Sequence, residues 1–239
     1  VGIGHTRRPG GMLRAMRARP TRPVPLLLAA LLLVTAAAGC RPLWIKQCRD
    51  RDCSLQEAAR RSDVLFGMHP QDFSPETRAV LAREAGLLVN PGFAWNVVEP
   101  ERGQWDWTWA DLHADFAEAE GMVQHAGSFA WDGLLLDDLP GWVQAITDPA
   151  ELRAVLTTRA WRIFARYPDL YAINVINEPL ETVGSALYDN HFRRVLGDDY
   201  VAELFEIVAA VAPPWTDLVL NEIFTEALPA KADALVDLV

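Results

Sequence analysis

From Ser62 onward the chain alternates short apolar runs with amphipathic helical stretches, and this alternation restricts the fold more than any other feature. Strands are predicted at 64–68, 87–89, 122–125, 172–177 and 218–222. Helices are predicted between and after them. Ser74-Pro75-Glu76 opens one with a cap residue and a first-turn proline, and Gly86 closes it. Residues 111–120 form the next, with Leu112 and Phe116 on one face and Gly121 as its stop. Asp148-Pro149-Ala150-Glu151 starts a third, whose buried stripe is Leu152, Val155, Leu156, Ile163 and Phe164. Two more are expected at 200–211 and 227–239. Five βα units in series imply a parallel sheet with neighbouring strands in sequence order, because the crossovers are right-handed. Such a sheet is either open and doubly wound or an arc of an eight-fold β/α barrel, which typically takes about 250 residues.

The fourth predicted strand carries the most chemistry. Ala172-Ile173-Asn174-Val175-Ile176-Asn177-Glu178-Pro179 runs apolar into an Asn-Glu pair and is stopped by proline. Either this is a buried strand ending in a polar turn, or the pair stands at the carboxyl end of a barrel strand, where catalytic groups lie.

Charge divides the chain. Residues 1–40 hold six arginines and no acid, which leaves 16 basic against 32 acidic residues in the remainder, a net −16. So acidic a body does not bind nucleic acid, since little in it would replace phosphate counterions. The basic start leads into an apolar run of about 15 residues at 24–38, short of the roughly 20 that span a bilayer. Ala37-Ala38-Gly39-Cys40 follows. This is the layout of an export signal. Cys40 after small residues resembles a bacterial lipoprotein signal and is the candidate lipid anchor, although position 37 is Ala where such signals usually have Leu. An ordinary cleaved signal and an uncleaved anchor are the alternatives. The protein is therefore expected to be exported, either secreted or attached to the cell envelope. Residues 41–61 read as a polar linker and 62–239 as the folded part. Export favours a Cys48–Cys53 disulfide over two free thiols.

Four segments together resemble glycoside hydrolase family 10, the endo-β-1,4-xylanases. Trp95-Asn96-Val97-Val98-Glu99-Pro100-Glu101-Arg102-Gly103-Gln104-Trp105-Asp106-Trp107 is similar to the family's Trp…Glu-Pro-x-x-Gly-x-Phe-x-Phe loop. Trp131 and Leu139-Pro140-Gly141-Trp142-Val143 resemble the third-strand Trp and the Leu-Pro-x-Trp-Val after it. Asn174-Val175-Ile176-Asn177-Glu178-Pro179 resembles the acid/base strand. Residues 192–205 and Leu220-Asn221-Glu222 resemble the helix and fifth strand beyond it. The resemblance implies a (β/α)8 TIM-barrel type fold of which about the first five βα units are present. It also implies a retaining endo-β-1,4-glycosidase acting on xylan or a related β-linked polysaccharide, without cofactor or metal, and monomeric when full length. Glu178 matches the general acid/base, and Asn177 the residue that hydrogen-bonds the sugar 2-hydroxyl beside the cleaved bond. Trp131 matches an aromatic wall of the glycone subsite, with core packing as the alternative.

Three departures qualify the match. The family's second strand usually carries Glu-Asn-Glu-Met-Lys-Trp, which binds the glycone; here the positions read Asn90-Pro91-Gly92-Phe93-Ala94-Trp95. The third strand usually ends Trp-His and here ends Trp131-Asp132, with extra residues before Leu139. His125, earlier on that strand, either takes over a sugar contact or is a structural histidine. Finally, the family's nucleophile lies on the seventh strand, and only 61 residues follow Glu178. The nucleophile is thus expected to be missing, and the chain as given inactive. A carbohydrate-binding envelope protein that kept the fold and lost catalysis is the alternative reading.

Overall fold

A computed structural model describes residues 53–133 and 139–238. The export segment at 1–40, Cys40 and Cys48 lie outside the described residues, as do the extra residues at 134–138 before Leu139. Five strands, β1 (Gly67–Met68), β2 (Leu87–Asn90), β3 (Val123–Ala126), β4 (Ala172–Asn177) and β5 (Asp217–Asn221), form one sheet in the order β1-β2-β3-β4-β5. Every pairing is parallel. This is the sequential arc expected of the first units of a β/α barrel.

The principal helices begin where the capping residues lie. The helix α2 (Pro75–Glu84) is capped by Ser74, whose side chain accepts from Thr77 N–H. The helix α6 (Pro149–Arg166) is capped by Asp148, which accepts from Ala150 N–H. Glu151 does not complete the reciprocal bond of a capping box; its carboxylate meets Arg102 at 2.6 Å instead. Between them, α4 (Thr108–Ala119) turns into β3 through Gly121, whose φ of 66° glycine adopts without penalty.

Some elements differ from expectation. The stretch read as a linker holds α1 (Leu55–Arg60), closed by a full capping box between Ser54 and Glu57. The first strand covers two residues rather than five, because it lies at the sheet edge and Val64 and Leu65 remain exposed. Short helices α3 (Trp95–Val98), α5 (Gly141–Gln144) and α7 (His191–Leu196) occupy the loops, and α8 (Tyr200–Ala209) and α9 (Pro229–Leu238) follow.

All six residues of β4 are buried, whereas β5 is half open along its length. Ile173 and Val175 pack in a cluster with Leu152, Leu156 and Ile163 of α6 and with Leu204 of α8. Each such aliphatic side chain contributes roughly 1.5–3 kcal/mol on burial. Leu88 joins a smaller cluster with Leu81, Ala117 and Met122.

A charged side chain enters this core. Arg159 of α6 is fully buried, and its guanidinium donates to Phe93 O (2.6 Å), Phe129 O (3.1 Å) and Ser128 O (3.4 Å). It also lies 4.7 Å from the centre of the Trp95 ring. Burial lowers its pKa to about 9, against the attraction of Glu99, so it stays charged at neutral pH. The carbonyls it binds belong to the segments after β2 and β3, so one side chain ties two strand ends to a helix. Arg159→Met should strip these carbonyls of their donor and destabilise the protein by about 3–5 kcal/mol. Urea unfolding followed by tryptophan fluorescence would measure it, and a loss below about 1 kcal/mol would refute this role for Arg159.

Candidate active site

The strand ends at the carboxyl side of the sheet build the site. Residues after β3 run along β4: Phe129 N–H and Ala130 N–H donate to Asn174 O and Val175 O, and Asn177 N–H returns to Ala130 O. This places Trp131 beside the end of β4. The β4–β5 register shifts between Asn174 and Ile176, and Glu178 N–H then donates to Asn221 O at 2.8 Å. Glu178 takes a φ of 53°, a left-handed conformation that costs a non-glycine residue about 1–3 kcal/mol and recurs at functional sites.

Asparagines fix the neighbouring amide. Asn177 Oδ1 accepts from Asn174 Nδ2 (2.9 Å) and Asn221 Nδ2 (2.7 Å), and Asn174 Nδ2 also reaches Ser128 Oγ (3.1 Å). With its oxygen engaged, the Asn177 amide has its NH2 group to offer a ligand.

His125, Trp131, Asn174 and Asn177 line a cavity of about 460 Å3, with Pro91 and Ala94 in the facing wall. Three buried polar atoms of this lining, His125 Nε2, Trp131 Nε1 and Asn174 Oδ1, have no hydrogen-bond partner among the described residues. Buried polar groups are normally paired, so these three atoms mark the lining as unusual. Burial holds the His125 pKa below the usual histidine value, leaving the ring neutral.

The structure brings His125, Trp131 and Asn177 together but sets Glu178 to one side. Its carboxyl opens on a smaller pocket of about 30 Å3 with Asp132, Tyr188 and Glu222. The residues assigned to the sugar contacts and the one assigned to the acid/base thus line two pockets. The left-handed turn at Glu178 swings the carboxyl off the strand line toward β5. The Trp131 indole N–H approaches this carboxyl without closing a hydrogen bond. Burial, and after it the Glu222 carboxylate, raise the Glu178 pKa, while Lys231, Asn177 and Trp131 act in the other direction.

Glu222 is the other carboxylate at a strand end here, and its side chain is fully engaged. Its Oε1 pairs with Lys231 Nζ at 2.8 Å and accepts from Ile223 N–H, while Oε2 accepts from Leu180 N–H at 2.9 Å. Asp132, at the position where the resemblance suggested histidine, accepts the His191 backbone N–H at 2.6 Å. Asn90 is structural: it donates to Ala110 O and accepts from Gly92 N–H. Gly92 packs so closely that a Cβ there would lie 2.5 Å from Ala110 backbone atoms. Trp142 also serves the scaffold, donating to Glu99 O at 3.1 Å. Glu99 in turn accepts from Trp95 Nε1 and Gly103 N–H, which explains the Glu-Pro-x-x-Gly spacing.

His69, Asn174 and Asn221 also line the main cavity and were missed in the sequence. The signal for His69 was its place just beyond β1, matching the other strand-end residues. Among the described residues no three His, Cys, Asp or Glu side chains could hold a metal ion.

A strand-end carboxylate, an adjacent amide and an indole thus stand together at the carboxyl side of the sheet. Residues 54–239 match the model of glycosyl hydrolase family 10, and the chain belongs to that family. It is 32% identical over 219 residues to endo-1,4-beta-xylanase 1 of Humicola insolens, covering 90% of this chain and 48% of that protein. It is 31% identical over 150 residues to endo-1,4-beta-xylanase 2 of Claviceps purpurea, 62% of this chain and 44% of that one. The chain thus spans about half the length of these relatives. Xylanase 10B from Thermotoga petrophila RKU-1, solved with xylobiose, superposes with a TM-score of 0.68 at 23% identity, over 77% of this chain and 57% of that one. The fold is accordingly a TIM-barrel type, present here as a five-stranded part.

The raised pKa of Glu178 has a consequence for stability. The folded protein holds this proton more tightly than the unfolded chain does. Stability should therefore fall as pH rises from the ordinary glutamate value, about 4.3, through the folded value. Glu178→Gln should be more stable than the parent at pH 7, with the difference vanishing below pH 4. Melting temperatures across pH test this; a Glu178→Gln protein less stable than the parent at pH 7 would contradict it.

Proposed function

We propose that this chain carries the acid/base portion of a retaining endo-β-1,4-glycosidase that acts on xylan or a related β-linked polysaccharide. The observation that carries the reading is Glu178: a carboxyl with a raised pKa, in a left-handed turn at the end of β4, between Asn177 and the Trp131 indole. A carboxylic acid so poised protonates the glycosidic oxygen as the bond to the leaving sugar breaks, and then takes a proton from the incoming water. Asn177 supplies an oriented NH2 donor for the sugar 2-hydroxyl, a bond that strengthens in the oxocarbenium-like transition state. Trp131 presents a flat ring to the C–H face of the sugar. His125, neutral, offers a donor or acceptor in the same cavity.

Retention requires a second carboxylate about 5–5.5 Å from the first. Glu222 is a poor candidate, because both its oxygens are committed to Lys231 and to backbone N–H groups. The nucleophile is expected from the part of the relatives that this chain does not span, and residues 1–239 alone are expected to be inactive. Export, with Cys40 as lipid anchor, and a monomeric full-length form complete the proposal.

A second reading, a glycan-binding protein without catalysis, draws support from the apolar wall at Pro91 and Ala94. Kinetics separate the two. In a form that includes the missing strands, Glu178→Ala should lower turnover of xylan by at least about a hundredfold. Activated aryl glycosides, whose leaving group needs no proton, should lose far less. Equal losses on both substrates would remove Glu178 from the acid role. Glycan binding with no turnover in that same form would favour the second reading.

A further inference from the structure

We propose that Glu222 and Lys231 are positioning residues for Glu178: their buried ion pair clamps the chain that leaves β4 and so fixes where the Glu178 carboxyl stands. This rests on the reading of Glu178 as acid/base.

The pair is sealed from solvent, with side-chain exposures of 1% for Lys231 and 0% for Glu222. Two charges withdrawn from water cost several kcal/mol each, and apolar replacements of such pairs are often neutral or stabilising. Packing α9 onto the sheet would therefore not require charges. What distinguishes this pair is its set of backbone contacts. Glu222 takes the N–H of Leu180, two residues beyond Glu178, and the N–H of Ile223. Lys231 Nζ donates to Thr182 O at 3.2 Å. The segment 178–182 is thus gripped at Leu180 and at Thr182 from one side. On the other, Tyr200 Oη donates to Pro179 O (3.3 Å) and is itself held by Asn190 Nδ2 (3.0 Å). A left-handed glutamate persists only where its surroundings determine it, and these contacts supply that determination.

The clamp has an electrostatic side as well. The groups that face the Glu178 carboxyl are Glu222, Lys231, Asp132, Tyr188, Asn177 and Trp131. Glu222 opposes its ionisation more strongly than Lys231 favours it, so the pair leaves a net push toward the protonated acid.

The test uses the 1–239 chain labelled with 13C at glutamate carboxyls, the Glu178 signal being assigned from Glu178→Gln. Glu222→Gln keeps an acceptor for Leu180 N–H but removes the negative charge, and the Glu178 titration midpoint should fall. Glu222→Gln/Lys231→Met removes both charges, and the midpoint should fall by less. This second variant carries the test if the first, with an unpaired lysine, does not fold. Glu222→Ala/Lys231→Met removes the acceptor, and hydrogen exchange at the Leu180 amide should accelerate at least about tenfold relative to Glu222→Gln/Lys231→Met. A pair that only packs α9 would leave Leu180 exchange the same in both double variants; that result, or a Glu178 midpoint unmoved in Glu222→Gln, overturns the proposal. Failure of the acid/base reading registers elsewhere, as undiminished hydrolysis by Glu178→Ala in the longer form, and leaves these spectra unaffected.

Discussion

The buried guanidinium of Arg159 is the contact on which the loops around the larger cavity depend. A cation without water must find acceptors, and here they are the carbonyls of Phe93, Ser128 and Phe129. These carbonyls belong to the segments that follow β2 and β3, and Arg159 joins the two. Arg159 thereby sets the Trp95 ring, the turn through Pro91 and Ala94, and the approach to Trp131. Glu99 completes the arrangement from the other side of Trp95, accepting its indole N–H and that of Gly103. Polar groups inside the core are what make the loop walls of the cavity definite in position.

The position of Glu178 depends on a different set of bonds. Glu178 is placed by the irregular β4–β5 pairing, by Asn221 O, and by the chain beyond it. None of these involves β2. Pro91 and Ala94 therefore shape the cavity without entering the bonds that place Glu178.

Much of this was legible in the sequence because it rests on local patterns. Apolar runs marked all five strands, and Ser74 and Asp148 marked two helix starts, since caps and hydrophobic period are properties of neighbouring residues. The sheet order followed from crossover handedness alone. What was not legible is long-range or conformational. Nothing in the identity of Glu178 announces a positive φ, so its displacement into a second pocket could not be read. The Glu222–Lys231 pair joins the end of β5 to α9 across nine residues, and no local pattern marks either side chain as buried. The role of Asn90 is equally long-range, since its amide nitrogen donates to Ala110 O, twenty residues on, while its oxygen accepts from Gly92 N–H. The helix at Leu55–Arg60 was legible in principle, since Ser54 and Glu57 stand at capping-box spacing, but its polar composition reads as linker.

The cavity itself shows how these layers meet. On its β3–β4 side stand His125, Trp131 and Asn174, and on its β2 side Pro91 and Ala94, which carry no polar side-chain atom. Strand pairing and the asparagine contacts fix the β3–β4 side. Because those same asparagines orient the Asn177 amide next to Glu178, the groups that would bind the sugar ring and the group that would protonate its leaving oxygen share one rigid frame.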